Sequence, residues 1–191
     1  MFNKTRRYAV ENAYIAIHRF VKEEHAIIIN LDGDDWLISK DVVDIVVSTY
    51  EKTGCDFTYG NCIIHNPGDS GHNKVITDVD PGVNIRYSVE VERNKSYRKE
   101  IFFPRHLRTW KASVYKKIPM SRFMYPNKKW LHICEDEAIY FPMFEMSGKY
   151  EVIPIPLCAY NLASPYGDEK MNLRDRLQDE VYIRRQPPIA L

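Results

Sequence analysis

Ala26-Ile27-Ile28-Ile29-Asn30-Leu31, running straight into Asp32-Gly33-Asp34-Asp35, decides how the rest of the chain is read. A compact β-branched run of this kind reads as a strand buried on both faces in a parallel sheet. It ends in an acidic turn. Upstream, Val10, Ala13, Tyr14, Ile17, Phe20 and Val21 recur at three- and four-residue steps, which predicts an amphipathic helix over Tyr8 to Val21. Downstream, Ser39 or Asp41 is a helix N-cap, Val42, Val43, Ile45, Val46 and Val47 supply the apolar side, and Gly54 is the stop. Cys55 to Ile64, with Phe57, Tyr59, Cys62 and Ile64, then reads as another strand. Helix and strand alternate, so the class is α/β.

Beyond that point the signals are punctuated by turns. His65 to Lys74 is loop chemistry around Asn66-Pro67-Gly68-Asp69-Ser70-Gly71. Val75 to Asn94 carries no firm pattern. A helix is expected from Arg105 to Lys117, between Pro104 and Pro119, and another from Glu135 to Met146, ending at Gly148 and kinked or restarted by Pro142. Glu151 to Tyr160, with prolines at 154 and 156, reads as an edge strand. Asp168 to Arg185 reads as a charged helix closed by Pro187-Pro188. No repeat or linker divides the chain, so residues 1–191 form one domain.

The 27 lysines and arginines against 26 acidic residues leave a net charge of +1 over 191 residues, too little field for non-specific binding to nucleic acid or an anionic membrane. With 45% hydrophobic and 28% charged residues the chain can bury a core. The 13 tyrosines and three tryptophans suit either core packing or a wet binding cleft, the former being commoner. Cys55, Cys62, Cys134 and Cys158 form no CxxC pair, which argues for reduced, mostly buried thiols rather than a zinc site. The first residues lack an apolar signal region, so the expected location is cytoplasmic.

Asp32, Asp34 and Asp35 stand where ligands bind in open α/β sheets, outside the carboxyl end of a strand. A solvated turn capping the next helix is the commoner meaning of such a string, and a magnesium or manganese site is the chemical one, since hard cations take oxygen ligands and keep positions open for phosphates. A calcium loop starting at Asp32 is excluded by Leu37 and Val43, where glycine and glutamate are needed. Glu135-Asp136-Glu137 at a helix start is favoured by the dipole alone; Asp136 is also a candidate general base. Pro104-Arg105-His106-Leu107-Arg108-Thr109-Trp110 gathers phosphate-matching guanidinium groups, an imidazole and a stacking ring, although a lone histidine is as often a packed one.

Taken in order, several strings resemble the family-2 glycosyltransferases of the A-type fold. They are Glu11-Asn12, Ile28 to Leu37, Phe57-Thr58-Tyr59-Gly60-Asn61, His106-Leu107-Arg108-Thr109, Asp136 to Met146, Tyr160-Asn161 and Tyr182-Ile183-Arg184-Arg185. The resemblance implies a partial Rossmann-like domain that moves a sugar, with inversion, from a nucleotide-diphosphate sugar to a hydroxyl acceptor on a glycan, lipid-linked group or protein. It implies Asp32 near the ribose or donor sugar, Asp34 and Asp35 on Mn2+ or Mg2+, Asp136 as the base, and His106 and Arg108 as donor-side contacts. The family's opening βα units, which bind the nucleoside base, have no counterpart here, since Met1 opens on what would be the third helix. The expectation is therefore an N-terminally truncated domain with low donor affinity, whose exposed sheet edge is covered by a second copy or a complementing chain. Nucleotidyl transfer fits less well, giving no role to Asp136 or His106. A degenerate glycosyltransferase-like module that binds a glycan or a protein is the non-enzymatic alternative.

Overall fold

The strand that carries the acidic turn belongs to a mixed five-stranded sheet with helices on both faces. In the computed structural model, described over residues 3–65, 85–162 and 173–189, the elements run α1 (Ala9–Phe20), β1 (Ile27–Asn30), β2 (Trp36–Leu37), α2 (Val42–Thr53), β3 (Phe57–His65), α3 (Val89–Asn94), β4 (Arg108–Lys111), α4 (Ala112–Tyr115), α5 (Glu135–Met146), β5 (Tyr150–Asn161) and α6 (Leu173–Arg185). The strand order is β1-β4-β3-β5-β2. β3 and β5 are parallel, and β4 is antiparallel to both β1 and β3. Hence β1, β3 and β5 point the same way and end on one side of the molecule.

Side-chain alternation sorts the strands into two cores. Ile28, Phe57, Tyr59, Trp110 and Tyr150 face α5, α1 and α6, while Ile27, Ile29, Leu107, Ile153 and Cys158 face Val42, Val46 and Tyr50 of α2. α2 is as expected: it ends at Gly54, whose φ of +67° is a left-handed cap that glycine adopts without Cβ strain. α5 is buried almost all round, from Glu137 to Glu145. Its Phe144 meets Phe57 edge-on at 5.0 Å and Tyr150 edge-on at 4.9 Å. Many of the tyrosines singled out by composition do core work: Tyr59, Tyr97, Tyr115, Tyr140 and Tyr150 are fully buried, and Tyr50 and Tyr87 nearly so.

Several expectations need correction. The Ala26 to Leu31 stretch is not a fully buried strand of a parallel ladder: β1 is half-buried and is an edge strand, paired antiparallel to β4 on one side only among the described residues. Its β-branched composition reflects packing on both faces, Ile28 against one core and Ile27 and Ile29 against the other. Arg105 to Lys117 is not one helix. Arg108–Lys111 is β4, and only Ala112–Tyr115 is helical. The apolar spacing of the segment fits either state, and pairing with β1 and β3 decides for the strand. Glu151 to Tyr160 is not an edge strand, for β5 lies between β3 and β2. Its prolines are tolerated because the β3–β5 register slips on either side of Asn61: Pro154 is passed over by the pairing and Pro156 stands at the irregularity itself, where the ladder is already broken. α5 continues through Pro142 as a single helix instead of restarting. The expected loop after His65 and the start of the last helix, before Leu173, lie outside the described residues.

Cys55, Cys134 and Cys158 are buried and Cys62 half-buried, all as free thiols. Among the described residues no helix is long and apolar enough to cross a membrane.

Candidate functional site

Three segments meet where β1, β3 and β5 end. The first is the turn after β1, closed by Asp35 N–H donating to Asp32 O at 3.1 Å. It is pinned to β5 by two cross-strand pairs, Trp36 with Ala159 and Leu37 with Cys158. Asn161 N–H reinforces this by donating to Asp35 Oδ1 at 2.9 Å. The second is His106-Leu107-Arg108 at the start of β4, whose Arg108 registers opposite Asn30. Gly60 makes room for it, since a Cβ there would stand 3.3 Å from Ile153 O and 3.5 Å from Leu107 N. The third is the start of α5, Glu135-Asp136-Glu137.

Arg108 ties these segments together. It is only 5% exposed, yet its Nη1 lies 2.9 Å from Asp136 Oδ2 and its Nη2 lies 2.8 Å from His106 Nε2. The imidazole continues the line, stacked on Tyr160 with centroids 4.9 Å apart and with Nδ1 3.9 Å from Asp35 Oδ2. Asp136, Arg108, His106 and Asp35 thus form one polar line across the carboxyl end of the sheet.

The electrostatics follow from burial. Burial works against the Arg108 charge, but the carboxylates of Asp136 and Glu135 hold the guanidinium more firmly cationic than usual. Burial and the neighbouring Arg108 and Arg105 drive His106 far down, to about 2, so the ring is neutral. Asp35, with its side chain 1% exposed, is raised to about 6 by burial, helped by the like charges of Asp32 and Asp34. Glu135 is raised to about 8, by burial first and then by Asp136 beside it. Glu137 is raised to about 7 by burial, with Arg184 Nη2 at 2.8 Å from its Oε1 opposing the shift.

Of the residues expected to act together, the structure gathers Asp32, Asp35 and His106 into a group whose ligand atoms lie within 4.8 Å of one another. Asp34 is exposed and outside that group. Asp32 and Asp35 offer hard oxygen donors suited to Mg2+ or Mn2+, and Asp35 Oδ2 is buried without a hydrogen-bond partner. Asp136 and Arg108, expected in separate roles, are an ion pair. Sequence reasoning did not assign Glu135, Tyr160 or the Asn161 main chain to the site; the last two stood among the strings that carry the resemblance, at the end of an apolar strand, but without a role. An apolar hollow of about 250 Å³ between Trp36, Ile38, Ile63, His65 and Ala159 lies beside the turn. Because Ala159 and Tyr160 alternate, it opens on the sheet face away from His106.

No family model and no curated protein matches the chain.

Proposed function

We propose that this chain is a metal-dependent inverting glycosyltransferase of the A-type fold, moving a sugar from a nucleotide-diphosphate sugar to a hydroxyl acceptor. The observation that carries the reading is the line from Asp136 through Arg108 and His106 to Asp35, which puts a base-type carboxylate and an acidic turn in one site. In this reading the turn holds Mn2+ or Mg2+ through Asp35, with Asp34 and Asp32 beside it. Asp32 also faces the donor sugar or ribose, and Asp136 accepts the proton of the attacking hydroxyl. A cation bound there would supply neutralising charge for the leaving diphosphate. Arg108 holds Asp136 in place, and its buried charge adds to the positive field on the donor side. The edge of β1 left unpaired among the described residues is where a second copy or a complementing chain would add a strand.

One observation favours a second reading. Asp136 is already engaged by a guanidinium at 2.9 Å and by the Glu137 N–H at 2.8 Å, so a carboxylate oxygen must give up a partner before it can take a hydroxyl's proton. A glycosyltransferase-like module that binds a glycan or a protein without turnover needs no such opening. The test is release of nucleoside diphosphate from a panel of nucleotide sugars and hydroxyl acceptors with Mn2+, alongside Asp136→Asn. Mn2+-dependent turnover lost in the variant supports transfer; no turnover on any donor, with glycan binding intact, supports the module.

A further inference from the structure

His106 Nδ1 and Asp35 Oδ2 face each other across 3.9 Å with defined polarity. A guanidinium nitrogen can only donate, so in the 2.8 Å contact between Arg108 Nη2 and His106 Nε2 the imidazole nitrogen accepts. The ring proton is therefore on Nδ1. Nδ1 is buried with no hydrogen-bond partner, and so is Asp35 Oδ2 opposite it. Their separation of 3.9 Å is too long for a direct hydrogen bond. Neither atom can turn aside: Tyr160 stacks on the ring, and Asn161 N–H holds the other oxygen of Asp35.

A donor and an acceptor that are both buried and both unsatisfied are costly unless a third atom serves them. A cation cannot serve Nδ1 while that atom carries a proton, and shifting the proton to Nε2 would aim it at an N–H of Arg108. A phosphate oxygen could accept from Nδ1 but would face the Asp35 carboxylate. A hydroxyl oxygen ~2.8 Å from each atom accepts from Nδ1–H and donates to Oδ2.

We propose that His106 Nδ1–H and Asp35 Oδ2 form a binding pair for a sugar hydroxyl of the ligand, with His106 a hydrogen-bond donor and not a ligand of the cation. The identity of the hydroxyl as a sugar's rests on the transfer reading; the polarity of the gap does not. Asp35 Oδ2 keeps a second lone pair, so it can ligate a cation and accept from the hydroxyl together.

The experiment uses the full chain labelled with 15N-histidine. Long-range proton–nitrogen spectra, with His106 assigned by its loss in His106→Phe, should show the Nδ1–H tautomer, unchanged at saturating Mg2+. An Nε2–H tautomer, or inversion on adding Mg2+, overturns the proposal; should His106→Phe not fold, the signal lost in His106→Asn gives the same assignment. Saturation-transfer spectra with free glucose, galactose, mannose and N-acetylglucosamine should show at least one sugar bound. His106→Phe should weaken that binding about tenfold, the worth of one hydrogen bond, while His106→Asn, whose amide N–H stands near Nδ1, keeps most of it. Mn2+ affinity should change less than ~3-fold in His106→Phe, against the 10–100-fold that altering metal-site support costs. No sugar binding in the wild type, or a tenfold loss of Mn2+ affinity, overturns the proposal. Absence of turnover with His106-dependent sugar binding overturns the transfer reading alone.

Discussion

Arg108 Nη1 stands 2.9 Å from Asp136 Oδ2, joining the start of β4 to the start of α5. The arginine is buried and Asp136 is partly open to solvent, so the two ends differ in what their loss exposes. Removing Asp136 strands a buried cation, whereas removing Arg108 leaves a carboxylate that water can reach. A double-mutant cycle of Arg108→Gln and Asp136→Asn, read by urea unfolding, should give a coupling of about 1–2 kcal/mol. Additivity within ~0.5 kcal/mol would mean the pair holds nothing together.

On the transfer reading, the same pair sets how turnover should respond. Asp136→Asn keeps the shape of the carboxylate and cannot take a proton, so turnover should fall by ~10²–10⁴ while Mn2+ affinity stays near wild type. Steady-state rates with a parallel Mn2+ titration separate the two effects. Unchanged turnover would move the base elsewhere, and Glu135, next in sequence with its carboxyl raised to about 8 by burial, would be the first place to look, with turnover then rising with pH through about 8 as it loses its proton.

The acidic turn should behave unequally along its length. Asp35 is buried and gathered with Asp32, whereas Asp34 is exposed and apart from them. Asp35→Asn should weaken Mn2+ binding more than tenfold and Asp34→Asn less, measured by electron paramagnetic resonance of free Mn2+. Equal effects would show that the exposed carboxylate turns inward to share the ion.

How much of this was legible in the sequence depends on what each residue needs from its neighbours. α2 was readable because its apolar face and Gly54 stop lie within one local window, although Asp41 at its start makes no side-chain capping bond. The acidic turn was readable for the same reason. β4 was not: Arg108 to Lys111 becomes a strand only by pairing with Ile27–Asn30 and Phe57–Thr58, some 50 to 80 residues away. The Arg108–Asp136 and His106–Asp35 approaches depend on that pairing, so motif order suggested a shared site but gave neither partner. The prolines of β5 misled because their tolerance comes from a bulge, which spacing does not announce.

Asp35 links the site to pH. Its carboxyl is raised to about 6 in the folded protein, by burial first, against an ordinary value of 3.8. The folded state therefore binds the proton more tightly than the unfolded one. The stabilisation is full below about 3.8 and is lost as pH rises through about 6. Asp35→Asn removes a buried charge while keeping an acceptor for Asn161 N–H, and should stabilise the protein by about 1–3 kcal/mol at pH 7 and little at pH 4. Metal binding runs the other way, because protons compete for the carboxylate below about pH 6 and Mn2+ affinity should fall with each further step down. Chemical denaturation and Mn2+ titration across pH 4–8 test both signs. Equal stability of variant and wild type at pH 7 would mean Asp35 is better solvated than its burial implies.

Stability and site are also joined through the far end of α5. Glu145 is fully buried, and both its oxygens take the guanidinium of Arg98, Nε to Oε1 at 2.5 Å and Nη2 to Oε2 at 2.9 Å. Arg98 Nη1 donates to Ile183 O of α6 at 2.7 Å, and Ile189 N–H donates to Glu145 Oε2 at 2.9 Å. This knot fastens α6 and the segment after it onto α5, whose other end presents Asp136. Glu145→Ala leaves the arginine buried and unpaired, and should cost about 3–5 kcal/mol. Replacing both residues together, Arg98→Met with Glu145→Leu, removes both charges and should recover most of that loss, though the main-chain partners at Ile183 and Ile189 stay unserved. Urea midpoints of the single and double variants decide it: a double variant as unstable as Glu145→Ala would locate the energy in the main-chain bonds rather than in the ion pair.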